Sequence, residues 1–252
     1  MSFKTVVVIG GCGGIGLATL QELNENFNIQ FLVIIDILEE ASAQELLNKS
    51  LKTDKFLYFQ CPVENISALS EVFQTINSKT SSLDVLINAA GVVDEQNIAR
   101  TFNINTIGTI NSTLLAIEYM RKDKNKDKNG GIIVNIGSVS SYTPTIRTPI
   151  YTASKYALLG FTKSLAHPDF FDLTGIKFSL ICPGSTRTAI SQYVAVQPPL
   201  FPELQATYLT FSKNCPRQNA IDVAKCILHA INANENGSVW EVVMGEIKKI
   251  NA

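Results

Sequence analysis

The chain has 252 residues, of which 46% are apolar and 17% are charged, and its formal net charge is −1. This length suits one large α/β domain or two small ones, and the lack of a basic excess argues against nucleic acid or an anionic membrane as a partner. No apolar run is long enough to span a bilayer and the N-terminus does not resemble a secretory signal, so we expect a soluble, cytoplasmic protein.

Apolar runs alternate with helical patterns along the chain. Continuous apolar runs, typical of strands covered on both faces, predict strands at 5–10, 31–36, 56–61, 84–89, 131–138, 177–184 and 239–245. Helical spacing between them predicts helices over 14–26, 39–51, 65–79, 101–121, 150–166 and 220–232.

This alternation predicts one doubly wound Rossmann domain over residues 1–252. About seven parallel strands would lie between helices on both faces of the sheet. The segment 185–215 interrupts the alternation after a strand and contains three prolines. We expect it to be an insertion that covers the substrate, because ligands bind beyond the carboxyl ends of such strands.

A glycine-rich loop follows the first strand and leads directly into a helix. Its sequence GGCGGIG covers residues 10–16, where Gly10, Gly14 and Gly16 are spaced G-x-x-x-G-x-G. Glycines allow backbone N–H groups to approach a pyrophosphate at the positive end of the helix, although tight turns also use glycine for conformational reasons alone. Because Asp36 closes the next strand about 20 residues later, the pattern predicts dinucleotide binding.

Asp36 also indicates which dinucleotide is bound. Its carboxylate would accept hydrogen bonds from the adenosine ribose and would repel the 2′-phosphate of NADP. No arginine or lysine within 10–16 or at 37–38 compensates for that charge. The expected cofactor is therefore NAD, which favours oxidation in a cell where NAD is mostly in its oxidised form.

A titratable pair lies near the start of the helix predicted over 150–166. Tyr151 and Lys155 are four residues apart, which places a phenol and an ammonium on one helix face. This spacing is common by chance. Ser138 alone is equally consistent with a strand-end cap, and Asn105 alone with a kink in a helix. More weight comes from the order of motifs: the glycine loop, Asp36, NAAG at 88–91, Asn105, Ser138, Tyr151, Lys155 and CPGSTRT at 182–188.

In this order of motifs the sequence resembles the short-chain dehydrogenase/reductase family along essentially its whole length, near the branch of insect-type alcohol dehydrogenases and 15-hydroxyprostaglandin dehydrogenases. The resemblance implies a catalytic tetrad of Asn105, Ser138, Tyr151 and Lys155. Tyr151 would be the general base, and Lys155, with the positive nicotinamide, would lower a phenol pKa that is ordinarily near 10. Ser138 would hold the substrate oxygen, and Asn105 would fix a water in a proton relay to Lys155.

The resemblance also implies binding residues. Cofactor contacts are expected at Gly10, Cys12, Gly13, Gly14, Ile15, Gly16, Asp36, Ile37, Val63, Asn88, Gly91, Tyr151, Lys155, Pro183, Gly184, Thr186 and Thr188. Substrate contacts are expected at Ser138, Val139, Tyr142, Thr148, Tyr151 and Tyr193. The chain departs from the family pattern at Pro62, where an Asp that binds adenine is common, at Ala89 within NAAG, and at Ile9.

The expected substrate is an apolar secondary or allylic alcohol of the terpenoid, retinoid, steroid or fatty type, with ipsdienol as one named candidate. Arg147 and Arg187 are the only arginines in the segments expected to line the cleft, so an anionic substrate would have little to contact unless one of them turned inward. One alternative is a carbonyl reductase that runs the reverse reaction. The other is a catalytically idle NAD-binding storage or scaffold protein.

Further expectations concern assembly and metals. The helices predicted over 101–121 and 150–166 have wide apolar faces, and such helices pair across two-fold axes in the family, so we expect a homodimer or homotetramer. Five widely spaced cysteines predict free thiols in a reducing compartment. Two histidines without metal-type spacing predict that no metal is bound.

Overall fold

A computed structural model describes residues 2–51, 56–124, 130–196, 198 and 200–252, without the side chains of 194–196 and 211–214. The strands are β1 (Ser2–Ile9), β2 (Asn28–Asp36), β3 (Phe56–Gln60), β4 (Val85–Asn88), β5 (Gly131–Ile136), β6 (Ile176–Pro183), β7 (Thr186–Arg187), β8 (Gln218–Asn219), β9 (Ser238–Val243) and β10 (Glu246–Lys249). The helices are α1 (Gly14–Asn26), α2 (Glu40–Leu51), α3 (Ile66–Thr80), α4 (Ile98–Phe102), α5 (Thr109–Met120), α6 (Pro149–Leu165), α7 (Pro168–Thr174), α8 (Ala189–Val196), α9 (Gln205–Asn214) and α10 (Ala220–Ala233).

Eight strands form the central sheet in the order β10-β9-β6-β5-β4-β1-β2-β3. The first strand pairs in parallel with both β2 and β4, so the chain leaves it toward opposite edges of the sheet. The crevice at this switch point, beyond the carboxyl ends of the strands, is where such sheets bind ligands. The predicted single doubly wound α/β domain is confirmed.

The described sheet contains the expected seven parallel strands and one further strand that the sequence did not predict. β10 adds an antiparallel edge strand to β9 after a turn at Met244 and Gly245, whose φ angles are 53° and 79°. Its sequence EIKK contains a single apolar residue, because an edge strand that faces solvent needs little apolar surface. Apolar periodicity therefore gave no signal for it.

Both faces of the sheet are covered, as the apolar runs predicted. In β1, Val6 and Val8 belong to one apolar cluster, which includes residues of α1, α2 and α10. Val7 and Ile9 belong to a second cluster on the other face, which includes residues of α3 and α5. Alternate residues of one strand thus contribute to the cores on the two faces of the sheet. Because helices cover both faces, the carboxyl edge of the sheet is occupied by loops.

Two boundaries near the site differ from the sequence prediction. The helix expected over 101–121 is divided into α4, a π-helical turn at Asn103–Gly108, and α5. The strand expected over 131–138 ends at Ile136, and Ser138 is instead the N-cap of a 3-10 turn over Val139–Ser141. Turns of π type are frequent at functional sites.

No described helix is long and apolar enough to cross a membrane. Among the same residues, no group of three or more His, Cys, Asp or Glu side chains is arranged to hold a metal ion.

Candidate active site

A cleft runs along the carboxyl edge of the sheet and consists of two adjoining cavities. The first, which we call the dinucleotide arm, has a volume of about 340 Å³ and extends from the glycine loop to Asp36 and Val63. The second, the reaction arm, has a volume of about 370 Å³ and contains Ser138 and Tyr151. They share a wall that includes Gly91, Val92 and Thr188 and so form one continuous cleft.

Close backbone approaches explain the glycines of the loop. A Cβ atom on Gly16 would lie 2.1 Å from the carbonyl oxygen of Gly10, and a Cβ on Gly14 would lie 2.7 Å from Cγ2 of Thr188. Gly10 itself has a φ of +77°. α1 begins after Gly13 without a side-chain cap and without an acidic residue in its first turn. The N–H groups there can therefore bind an anion such as a pyrophosphate.

Asp36 connects the end of β2 to the glycine loop. Its Oδ2 accepts a hydrogen bond from the N–H of Cys12 at 2.8 Å, and its Oδ1 accepts one from the N–H of Leu38 at 3.1 Å. The cation that lines the dinucleotide arm, within the described part of the chain, is Arg100, which is paired with Asp94 at 3.1 Å. Each carboxylate oxygen of Asp36 accepts one of these bonds and can accept another, so the side chain can still bind the two hydroxyl groups of a ribose.

The expected cofactor residues line this cleft with one exception. Gly10, Cys12, Gly13, Gly14, Ile15, Gly16, Asp36, Ile37, Val63 and Gly91 line the dinucleotide arm, and Tyr151, Lys155, Pro183, Gly184, Thr186 and Thr188 line the reaction arm. The exception is Asn88.

The side chain of Asn88 is buried beneath the cleft rather than exposed in it. Its Nδ2 donates to Oδ1 of Asn135 at 2.9 Å and to Oγ1 of Thr113 at 3.1 Å. Its Oδ1 accepts from the hydroxyl of Ser112 at 2.8 Å. These hydrogen bonds join β4 to β5 and α5, so the expected cofactor contact of Asn88 stays a prediction that its side chain does not support.

The three residues of the proposed reaction centre converge in the reaction arm. Tyr151 lies in the first turn of α6, and Nζ of Lys155 is 5.7 Å from the centre of its ring. The Lys155 side chain is buried, and Nζ donates to the carbonyl oxygen of Ile136 at 2.7 Å. Ser138 is held by the 3-10 turn, in which its Oγ accepts from the N–H of Ser140 at 3.1 Å.

The expected lowering of the Tyr151 pKa by Lys155 together with a bound nicotinamide stays a prediction, and burial of the phenol acts against it. Burial raises the pKa of Tyr151 to about 12, and the neighbouring Ser138 side chain acts in the opposite direction as a hydrogen-bond partner. Burial also lowers the pKa of Lys155 to about 8. Desolvation therefore disfavours the charged form of both side chains.

Asn105 lies in the π-helical turn, and its side chain connects the loop at Val92 to α6 at Ser154. Its Oδ1 accepts from the N–H of Val92 at 2.8 Å, while its Nδ2 donates to the carbonyl of Val92 at 2.9 Å and to Oγ of Ser154 at 3.0 Å. Both N–H groups of the amide are thus used within the protein. A Cβ on Gly91 would lie 3.4 Å from Oδ1 of Asn105 and 3.7 Å from Nζ of Lys155, so the Asn105 side chain lies next to the ammonium.

Sequence reasoning missed Glu95, which holds the start of α6. Its Oε2 accepts from the N–H of Ile150 at 2.9 Å and its Oε1 from the N–H of Tyr151 at 2.8 Å. Burial raises the pKa of Glu95, and these two hydrogen bonds oppose the rise. Thr148, the N-cap residue, supplies no side-chain cap. No local pattern could reveal this contact, since it joins segments that are distant along the chain.

Comparison with known proteins agrees with this geometry. Residues 4–198 match the family model described as short chain dehydrogenase, which is well over half of the chain. The chain belongs to the short-chain dehydrogenase family. This is a family of oxidoreductases that typically use NAD or NADP.

Solved structures agree on the fold. The crystal structure of gox2181 has a TM-score of 0.78 at 18% identity, over 97% of this chain and 96% of that one. Levodione reductase has a TM-score of 0.75 at 19% identity, over 96% of each chain. At these identities the likeness shows a shared fold.

On the substrate side of this short-chain dehydrogenase, four of six expected residues line the reaction arm: Ser138, Val139, Thr148 and Tyr151. Tyr142 does not, because its hydroxyl donates to Glu241 and its ring packs against the cluster of Leu158, Leu180, Cys182 and Val239. Tyr193 does not line it either and is 43% exposed. For Tyr142 and Tyr193 a substrate contact therefore stays a prediction that the lining of the cavity does not support.

Proposed function

We propose that this protein is an NAD-dependent dehydrogenase that oxidises a secondary or allylic alcohol to a ketone or aldehyde. The observation that carries the proposal is the convergence of Ser138, Tyr151 and Lys155 in a cavity that continues into the dinucleotide arm. A dinucleotide fits the glycine loop and Asp36, and when bound it accepts the hydride from the alcohol carbon.

Each residue then has a role that its environment supports. Ser138 donates a hydrogen bond to the alcohol oxygen, and Tyr151 takes the hydroxyl proton as a phenolate. The ammonium of Lys155, on the same side of the ring, stabilises that phenolate together with the cationic nicotinamide. Both N–H groups of the Asn105 side-chain amide already donate hydrogen bonds within the protein. Asn105 would therefore hold the water of the relay to Lys155 through Oδ1 or through its backbone carbonyl oxygen.

NAD is proposed over NADP because of Asp36. Its carboxylate would lie opposite the 2′-phosphate of NADP, and the two negative charges would repel each other. Arg100, the cation lining this arm among the described residues, is already paired with Asp94. At the end of β2, no described residue offers a phosphate an unpaired positive partner.

The body of the substrate is proposed to be apolar, as in terpenoid, retinoid, steroid or fatty alcohols. Val93, Val139, Pro144 and Ile190 line the reaction arm. Within the 185–215 segment, Ser185, Ser191 and Cys215 also line it, which supports a covering role for that segment. The narrower branch of the family and ipsdienol as substrate stay predictions.

A homodimer or homotetramer formed through α5 and α6 is also proposed. Ile107, Leu114 and Tyr156, on or next to these helices, are 46%, 48% and 40% exposed. Exposed apolar side chains of this size support an oligomer interface on these helices. The test is sedimentation at micromolar concentration, in which a monomer would contradict the proposal.

The experiment that tests the activity mixes protein, NAD and a panel of secondary alcohols and follows NADH absorbance. Turnover that Tyr151→Phe abolishes supports the proposal. NAD binding without turnover of any alcohol would favour the storage or scaffold alternative. Faster reduction of ketones with NADPH than oxidation with NAD would favour the reductase alternative.

A further inference from the structure

The turn between β2 and α2, residues 36–38, carries the carboxylate of Asp36, and the neighbouring strand β3 lies beside it. β3 is the edge strand of the sheet and pairs with β2, so that Tyr58 is opposite Ile34 and Gln60 is opposite Asp36. Residues two apart in a strand share one face. Tyr58 and Gln60 therefore lie on the same side of the sheet, next to this turn.

Side chains of β3 bind the backbone carbonyl groups of the turn. The hydroxyl of Tyr58 donates to the carbonyl oxygen of Leu38 and lies 3.4 Å from that of Asp36. Nε2 of Gln60 donates to the carbonyl oxygen of Ile37 at 3.4 Å. Tyr58 is partly buried whereas Gln60 is exposed, so water competes less with the hydrogen bond of Tyr58. Tyr58 is therefore the main contact that holds the turn.

The same turn fixes the carboxylate of Asp36. The N–H of Leu38 donates to Oδ1 of Asp36 at 3.1 Å, and the N–H of Cys12 donates to Oδ2 at 2.8 Å. The carboxylate is thus held between the glycine loop on one side and the turn on the other. Leu38 is bonded through both of its backbone groups, with its N–H on Asp36 and its carbonyl oxygen on Tyr58. A shift of Leu38 would therefore move the carboxylate.

Tyr58 has the properties of a permanent hydrogen-bond donor to this turn. Burial raises the pKa of Tyr58 above its ordinary value, and nearby negative charge, including that of Asp36, raises it further. The phenol thus stays protonated at any working pH. Its ring packs against the apolar cluster that includes residues of α2. Tyr58 does not line the dinucleotide arm as the described residues define it, so its hydroxyl can act on a dinucleotide only through the turn.

We propose that Tyr58 is a positioning residue for the adenosine end of the dinucleotide: by holding Leu38, it fixes the carboxylate of Asp36 where the ribose hydroxyls bind. This inference rests on the proposed binding of NAD and adds a residue that sets its affinity and its preference over NADP. Gln60 has the same role more weakly, through Ile37.

The test is calorimetric titration of the wild type and of Tyr58→Phe, which keeps the ring and removes only the hydroxyl. Tyr58→Phe is expected to weaken the binding of NAD and of ADP-ribose about 3- to 10-fold, the effect of one uncharged hydrogen bond. Binding of nicotinamide mononucleotide, which lacks the adenosine, and of NADP should change less than about twofold, so the preference for NAD over NADP falls.

Tyr119→Phe is the matched control. It removes the same atom from a ring that stacks on Phe73 and belongs to the apolar cluster on the other face of the sheet. Its affinity for NAD is expected to equal that of the wild type. The kcat of Tyr58→Phe at saturating NAD should also be unchanged, because a residue that positions the adenosine end alters cofactor binding and not the chemical step.

A double-mutant cycle tests whether Tyr58 acts through Asp36. Asp36→Ala removes the carboxylate that Tyr58 is proposed to position. In that background, Tyr58→Phe is expected to change the affinity for NAD less than about twofold, because residues that act as one unit are not additive. A further 3- to 10-fold loss in the double variant would show that Tyr58 acts independently of Asp36 and would overturn the proposal.

The remaining outcomes separate this inference from the proposed function. Unchanged NAD affinity in Tyr58→Phe, or equal weakening of NAD and nicotinamide mononucleotide, would overturn the positioning role while NAD binding stands. If Tyr58→Phe fails to fold, Gln60→Leu at the exposed position decides: NAD affinity about two- to threefold lower is expected, and unchanged affinity would overturn the proposal. A wild-type protein that binds neither NAD nor ADP-ribose would overturn the proposed cofactor and this role with it.

Discussion

The carboxylate of Glu95 accepts a hydrogen bond of 2.8 Å from the backbone N–H of Tyr151. Its other oxygen accepts from the N–H of Ile150, so one side chain caps the first turn of the helix that carries the catalytic phenol. A negative charge at a helix N-terminus also interacts favourably with the helix dipole. Glu95 is therefore a positioning residue for Tyr151.

Glu95→Ala is expected to lower the free energy of unfolding by about 1–2 kcal/mol, the usual cost of losing an N-cap with its charge. It is also expected to lower kcat more than it raises KM, because the phenol is displaced from the reacting hydroxyl. Urea unfolding and steady-state kinetics measure the two effects. Glu95→Gln, which keeps one acceptor oxygen, should recover part of kcat, and equal loss in both variants would contradict a capping role.

The pH dependence of oxidation follows from the pKa of Tyr151, which burial raises to about 12. Oxidation needs the phenolate, so kcat/KM is expected to rise with pH, about tenfold per pH unit below the pKa in the NAD complex. Reduction needs the protonated phenol and is expected to stay flat over the same range. Lys155→Met should shift the rise to higher pH, and a flat oxidation profile would contradict the role of Tyr151 as base.

Stability should also depend on pH through Lys155. Its pKa in the folded protein is about 8, below the ordinary value of 10.5. Between these values the unfolded chain binds more protons than the folded one, so the contribution of Lys155 to stability increases as pH rises through this window. Urea unfolding is expected to show the wild type gaining about 1 kcal/mol per pH unit over Lys155→Met from pH ~8.5 to ~10. A constant difference between the two would contradict the assignment.

Cofactor preference tests the role of Asp36. Asp36→Arg is expected to weaken NAD binding about tenfold and to strengthen NADP binding, because an acceptor for ribose hydroxyls is replaced by a partner for the 2′-phosphate. Titration of both dinucleotides by fluorescence measures this change. Asp36→Asn is the control: it keeps an acceptor for the N–H of Cys12 and removes the charge. An unchanged NAD-to-NADP ratio in Asp36→Arg would refute the assignment.

Asn88 is expected to serve stability rather than cofactor binding. Asn88→Ala removes the partners of the buried Ser112 and Asn135 side chains and should cost about 2–3 kcal/mol of unfolding free energy. The NAD dissociation constant of the folded protein should change less than about twofold. A large loss of NAD affinity in Asn88→Ala would restore the original expectation.

The sequence by itself determined the layout of the fold. Strands apolar on both faces, alternating with helices, allow only a covered parallel sheet, and the glycine loop and Asp36 mark its switch point. Tyr151 and Lys155 were also readable, because helical spacing fixes their common face. These inferences depend on periodicity or on short-range geometry, and both follow directly from the order of residues along the chain.

Tertiary structure decided which side chains face the cleft. Tyr142 lies four residues after Ser138, yet its hydroxyl contacts Glu241 of β9, which is 99 residues further along the chain. Glu95 caps a helix that begins more than 50 residues later. Side-chain direction beyond a strand end is set by turn geometry and by partners far along the chain, and neither leaves a local pattern. The pKa of Tyr151 is likewise decided by the tertiary structure, because it depends on how deeply the phenol is buried.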